Sequence, residues 1–223
     1  MPRFMLELLA TEAAYFIFVF ILCSLIHLKT KEIYELTAEK SVRYFRNSFL
    51  FLGLAYFSRS LLYLLISWGV LFEIPPQALL VDFRTIAVLS GFLLVYFGSL
   101  SILYLSFSLV WDEFDLSEAL MHLLAITVAL VITFFRSFEL LVISQIALFF
   151  LLAIAIYSAY RASEVRKSFW GGIYPLYLLL FVFWILNVLV LVFRTALEVR
   201  VCLYLASSLI LAYIAYRILK KVG

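Results

Sequence analysis

Arg59 is the only formal charge in the apolar run FLFLGLAYFSRSLLYLLISWGVLF, residues 49–72, and it stands near the middle. Its guanidinium presents a planar fork of N–H donors that matches the oxygens of a carboxylate or a phosphate. At about 1.5 Å per residue the run is long enough to cross a bilayer core of roughly 30 Å. Arg59 is then expected near the midplane, where a charge facing lipid costs at least about 2.5 kcal/mol. It is therefore expected to face other helices, a polar cavity or a ligand. Glu12, Gln145 and Asn187 interrupt other apolar stretches at middle-to-outer depth, and Tyr96, Tyr204 and Ser207 reach the same layer. Turned inward, these residues form a polar pocket in which Arg59 receives a carboxylate or phosphate. In the competing reading Arg59 bonds helix carbonyls, Asn187 and Gln145 and simply fixes the bundle. Both readings stay open on sequence grounds.

A second constellation comprises Asp112, Glu113, Asp115, Glu118 and His122, with His27 elsewhere in the chain. Glu118 and His122 are four residues apart, so one helix face presents both, as a metal site requires. Such a site would let a membrane hydrolase activate water. The chain has only two histidines and no HxxxH or HExxH spacing. An acidic loop in which Asp115 or Ser117 caps the following helix accounts for the same residues more simply. No metal is expected. With no serine–histidine–acid set and no phosphate-cradling glycine loop, no catalytic residue is assigned and the chain is not read as an enzyme. A metal-dependent membrane hydrolase is the residual option.

The elements that must position these groups follow from composition. The 223 residues are 67% hydrophobic and 14% charged, against about one half and one quarter in a soluble domain. That is room for six to eight spanning helices and no expected soluble output or catalytic domain. The reading is an all-α polytopic membrane protein, one transmembrane domain of seven helices at about 8–28, 49–72, 85–110, 116–135, 138–160, 173–193 and 201–218. The first is expected to be retained: a lone Arg3, early glutamates and no A-x-A site argue against a signal peptide. The segment HLKTKEIYELTAEKSVRYFRN that follows is expected to lie at the headgroups as an anchoring loop or helix extension. Glu73-Ile74-Pro75-Pro76 is expected to end the second helix, and Asp82 and Arg84 to flank the third. Ser90, Gly91, Gly98, Ser99 and Ser101 would let neighbours approach the third helix closely. Pro175 suits the first turn of the sixth. Trp68, Trp111 and Trp170 read as interface anchors, and Trp184 as core packing or pocket wall. Cys23 and Cys202 fall in different helices near opposite faces, so no disulfide is expected.

Lysine and arginine set the orientation. With the amino terminus outside, the cytoplasmic segments hold eleven of them (Lys29, Lys31, Lys40, Arg43, Arg46, Arg161, Arg166, Lys167, Arg217, Lys220 and Lys221). The outside segments hold five (Arg3, Arg84, Arg136, Arg194 and Arg200). The asymmetry predicts amino terminus out and carboxyl terminus in. The net charge of +3 thus reports topology, and no nucleic-acid partner is expected. Helices two and six each carry a strongly polar residue, Arg59 and Asn187. Helices three and seven each begin near an acid and an arginine, Asp82 with Arg84 and Glu198 with Arg200, and carry Ser90-Gly91 and Ser207-Ser208. This suggests a weak internal repeat in a 3+1+3 arrangement.

Seven helices, an outside amino terminus, short loops and the 3+1+3 pattern resemble the transporter–opsin–G-protein-coupled-receptor superfamily. The nearer resemblance is to the seven-helix sensor region of some prokaryotic histidine kinases. It covers the whole chain by layout. Helix seven has no interior lysine, a departure that rules out an opsin-like retinal Schiff base, and no cofactor is expected. The Pro-Gln pair that carrier branches place in helices one and five is missing, because Pro75, Pro76 and Gln77 are read as a loop. The expectation is a receptor-like or sensory protein of the cell membrane. It would bind a small amphiphile or lipid, or a small anion, in an intramembrane pocket and act through a cytoplasmic signalling partner. A small-anion carrier and a non-catalytic subunit of a membrane complex are the alternatives; few helix-breaking residues within the spans count against the carrier.

Overall fold

Backbone hydrogen bonds and serine caps close two turns of the chain. α1 (Pro2–Thr37) stops where Ala38 takes a left-handed conformation, φ 52°, and its N–H donates to the Tyr34 carbonyl at 2.8 Å. α2 (Lys40–Leu71) begins two residues later. α4 (Glu118–Phe135) starts at Ser117, whose hydroxyl accepts from the Leu120 N–H. It ends at Arg136, φ 49°, whose N–H returns to the Ile132 carbonyl. Ser137 then caps α5 (Phe138–Ser163) by accepting from the Leu140 N–H at 3.2 Å. These bonds satisfy backbone groups that a helix end leaves open. The other elements are α3 (Pro76–Val110), α6 (Tyr174–Val192) and α7 (Leu197–Val222). The structure, a computed structural model, describes residues 2–71, 76–110, 117–163, 174–192 and 197–222. Among these it holds seven helices and no strand.

Six of the helices are long and apolar enough to cross a membrane, and α6 is a shorter apolar helix whose apolar stretch is Tyr174–Val190. The helices outrun the apolar runs. α1 has 36 residues and α2 has 32, about 54 and 48 Å at 1.5 Å per residue. The segment expected at the headgroups is therefore helical on both sides of one turn, a hairpin that continues α1 and α2. Lys29–Glu32 and Lys31–Glu35 pairs lie along its outer face. His27 Nδ1 meets the Arg46 carbonyl at 3.1 Å, and the Arg46 guanidinium covers the Tyr34 ring. Both contacts tie the two arms together.

Several boundaries differ from those expected. α3 begins at Pro76, at the first helical position where a missing N–H is harmless. Pro76 and Gln77 thus lie in a helix and not a loop, and Asp82 and Arg84 lie within α3 and not at its entrance. Ser117 is the cap of α4. Pro75, Trp111, Asp112, Glu113, Asp115, Arg166, Lys167, Trp170 and Arg194 lie outside the described residues.

Packing closes a ring. α1 contacts α2 and α7, α2 contacts α3, α3 contacts α5, α5 contacts α6, and α6 contacts α7. α4 stands outside this ring against α3 and α5. The core fills the ring with Val19, Cys23, Leu52, Leu152, Leu180, Phe183 and Leu211, all essentially inaccessible. Small residues allow the close approaches. A Cβ on Gly53 would meet the Cys23 Cβ at 3.2 Å, so glycine there lets α2 sit down on α1. Gly91, by contrast, has open space around it. Ser90 on α3 donates to the Ser58 carbonyl of α2, and the Ser108 and Tyr177 hydroxyls join α3 to α6, each at 2.8 Å. Cys23 is buried, Cys202 is exposed, and both are free.

Candidate functional site

A cavity of about 210 Å³ lies inside the ring. It is nearer the bundle end where α1, α3, α5 and α7 begin. α1 contributes Glu12 and Phe16; α2 contributes Ala55, Tyr56, Arg59 and Tyr63. Their spacings of three and four residues place each set on one helix face. α3 adds Leu94, Val95 and Gly98, and α5 adds Leu141 and Gln145. Trp184, Asn187, Val188 and Val190 come from α6, and Arg200 and Tyr204 from α7.

Of the residues expected in a pocket, Glu12, Arg59, Gln145, Asn187 and Tyr204 line this cavity together. Two do not. Tyr96 faces α4, where its hydroxyl is 2.8 Å from His122 Nδ1. At 100° per residue it stands roughly 160° around the helix from Gly98. Ser207 lies one turn below Tyr204, fully buried, and donates to the Leu203 carbonyl at 2.7 Å. Three polar lining residues are not assigned to the pocket by the sequence: Arg200, Tyr56 and Tyr63. Arg200 was counted with a connecting loop, but α7 begins before it. A buried Glu12 calling for a cation at the same bundle end was the available clue.

The charges are unequally matched. Arg200 Nη1 donates to Glu12 Oε1 at 2.8 Å, joining the first turn of α7 to α1. Glu12 is 3% exposed. Among the described residues, the hydrogen bond made by Arg59 is to the Tyr63 hydroxyl, at 3.3 Å. Its guanidinium also lies over the rings of Phe16 and Tyr63, 5.4 and 5.7 Å from their centroids. It does not bond Asn187 or Gln145, as the purely structural reading required. Asn187 is engaged elsewhere, accepting from the Tyr15 hydroxyl at 2.7 Å and donating to the Phe183 carbonyl. Tyr15 in turn stacks on Tyr204, centroids 4.2 Å apart, and meets Tyr56 edge-on, which floors the cavity with aromatic rings.

Three polar atoms of the lining are buried without a hydrogen-bond partner among the described residues: Glu12 Oε2, Trp184 Nε1 and Arg200 Nε. Gln145, 8% exposed, bonds none of the described residues through its amide either. Buried polar groups are ordinarily paired, so such a concentration around one cavity marks a place suited to a polar ligand.

The second constellation is assembled differently. Arg43 of α2 pairs with Glu118 of α4. The Tyr104 hydroxyl lies 3.4 Å from both Glu118 Oε2 and His122 Nε2, and Tyr96 takes the other ring nitrogen of His122. Phe51 meets the imidazole edge-on. Glu118 and His122 do share one face, but it is filled by arginine and tyrosines. No group of three potential metal ligands occurs among the described residues. This cluster fastens α4 to α2 and α3.

An uncharacterized protein of Archaeoglobus fulgidus is similar to this chain, with 39% identity over 222 residues that cover 97% of the chain and 94% of the relative. No family model matches the chain, and no solved structure does.

Proposed function

The chain belongs to one family with the Archaeoglobus fulgidus protein, and we propose that it is a receptor-like integral protein of the cell membrane. In this reading the helices cross the bilayer with the amino terminus outside and the carboxyl terminus inside, as the lysine and arginine distribution favours. The cavity then opens in the outer half of the membrane and binds a small amphiphile or lipid. The observation that carries the reading is Arg59, a guanidinium in an apolar helix that lines a cavity with hydrogen-bonding capacity to spare. Glu12 and Arg59 sit on α1 and α2, the two helices that continue into the exposed hairpin at the other end. A ligand that changes how these two rods pack would move that hairpin, where a cytoplasmic partner reads it. The ring with α4 outside it suits a 3+1+3 arrangement like that of the seven-helix sensor regions and the transporter–opsin–receptor superfamily.

A small-anion carrier is the second reading, favoured by the same cationic cavity. Native mass spectrometry of gently purified protein tests the binding reading, with Arg59→Ala alongside. A co-purifying lipid or small anion, lost in the variant, is expected. A bare wild type and a variant that only unfolds earlier would make Arg59 structural. Uptake of a labelled anion by proteoliposomes separates carrier from receptor.

A further inference from the structure

Among the described residues the cavity wall carries Arg59 and Arg200 against Glu12, a formal sum of +1. Glu12 and Arg200 neutralise each other at 2.8 Å, which leaves the excess on Arg59. The open hydrogen-bonding groups are also lopsided. Most N–H groups of Arg59, the Gln145 amide and the Trp184 indole N–H can donate, while Glu12 Oε2 and the Gln145 carbonyl can accept. A net positive charge and a donor surplus in a largely apolar enclosure select an acceptor-rich anion. The charge balance selects further: one negative charge brings the site to neutrality, whereas a second would be buried unpaired. A positively charged head would meet Arg59 directly.

Resting on the binding reading above, we propose that the cavity takes the head of a monoanionic amphiphile, a carboxylate or a phosphodiester, and discriminates against dianionic and cationic heads. Arg59 holds the two equivalent oxygens. Phe16, Tyr56, Trp184 and Val188 enclose the first carbons of the apolar part. At about 210 Å³ the space takes the head and a short length of chain, and the remainder leaves between helices.

Purified protein in an uncharged detergent at pH 8 tests this with probes of one chain length: hexanoate, dihexanoyl phosphatidylglycerol, hexyl phosphate, hexanol and hexylammonium. Binding is read by Trp184 emission, against a Trp184→Phe background, and by the thermal midpoint. Hexanoate, the phosphodiester lipid or both are expected to bind saturably, at least tenfold tighter than the dianion, the alcohol or the amine. Arg59→Met is expected to weaken that binding at least tenfold, and Arg59→Lys to keep part of it. Hexanoate alone points to a free carboxylate, the phosphodiester alone to a membrane lipid, and both to the shared head. Equal or tighter binding of hexanol, hexylammonium or hexyl phosphate overturns the monoanion assignment, as does unchanged affinity in Arg59→Met. If Gly98→Leu, which fills the cavity without touching its charges, still abolishes those signals, the cavity stands as a binding site. No saturable change with any probe overturns both. Where Arg59→Met does not fold, the wild-type probe series and Gly98→Leu decide alone.

Discussion

The cavity around Arg59 and the cluster around His122 are made from similar side chains, an arginine, a glutamate and several tyrosines on three or more helices. Yet their bonding differs in completeness. In the cluster, Glu118 has Arg43 and Tyr104 as partners, both nitrogens of His122 meet a tyrosine hydroxyl, and Arg43 Nε is the one buried polar atom without a partner among the described residues. In the cavity, Arg59 has one hydroxyl, one oxygen of Glu12 is unpartnered, and the Trp184 N–H has no acceptor among the described residues. A network whose members satisfy one another rigidifies a bundle; one left partly open has capacity for something else. Residue type alone does not tell structural from binding sites here. The completeness of the bonding does.

The largest effect expected breaks the one closed part of the open site. Glu12 and Arg200 are 4% and 21% exposed in their side chains, so removing either leaves a sparsely hydrated charge. Breaking such a pair costs about 3–5 kcal/mol, and Glu12→Ala, which leaves the more accessible Arg200 unpaired, is expected at the low end. Thermal unfolding in detergent should show Glu12→Ala and Arg200→Met both strongly destabilised. The double variant Glu12→Ala with Arg200→Met should lose clearly less than the sum. Additive losses would remove the ion pair from the account.

Next comes Arg59. Replacing it by methionine removes an underpaired, half-buried charge, so the folded protein is expected to be as stable as wild type or more so. Retention of the anionic ligand should fall at least tenfold, or about 1.4 kcal/mol. Stability and binding moving in opposite directions sharpens the contrast between the two regions. A loss of stability with binding intact would assign Arg59 to the same class as His122.

How much of this was legible beforehand depended on what each residue interrupts. Arg59, Gln145 and Asn187 stand inside apolar runs, and Glu12 at the edge of one, so a polar layer at one depth followed from position along the helices. Rotation about each helix was not legible, which is why Tyr96 was counted with the pocket although α3 turns it to α4. Arg200 failed for another reason. A charge at the end of an apolar run reads as a topological signal, and only the start of α7 before it reveals that it can turn inward to Glu12. Helix lengths were underestimated at the hairpin because apolar length was taken for helix length. Residues 29–37 continue α1 as a charged helix held by i,i+3 and i,i+4 pairs.

The closed cluster yields smaller effects. His122→Phe keeps the ring but strips Tyr96 and Tyr104 of a partner, with an expected loss of about 1–2 kcal/mol in stability and no change in ligand affinity. Tyr96→Phe removes a single hydroxyl, worth about 0.5–1.5 kcal/mol. Its ligand affinity is the more informative readout, measured by titrating hexanoate against Trp184 emission. Wild-type affinity keeps Tyr96 in the α3–α4 seam. A loss comparable to that of Arg59→Met would return it to the site and erase the boundary between the two regions.

The smallest change tests the space itself. Gly98 sits in α3 where a Cβ would come 3.9 Å from Trp184, an ordinary contact, so alanine fits without moving the wall. Alanine in place of glycine within a helix is worth about 0.5–1 kcal/mol, and Gly98→Ala should unfold at a slightly higher temperature with the ligand still bound. A longer side chain at the same position has to extend into the cavity. If alanine alone already expels the ligand, glycine is there for close approach of the ligand to the α3 backbone. If even leucine leaves binding intact, the ligand lies elsewhere and the unpaired groups around Arg59 need another explanation.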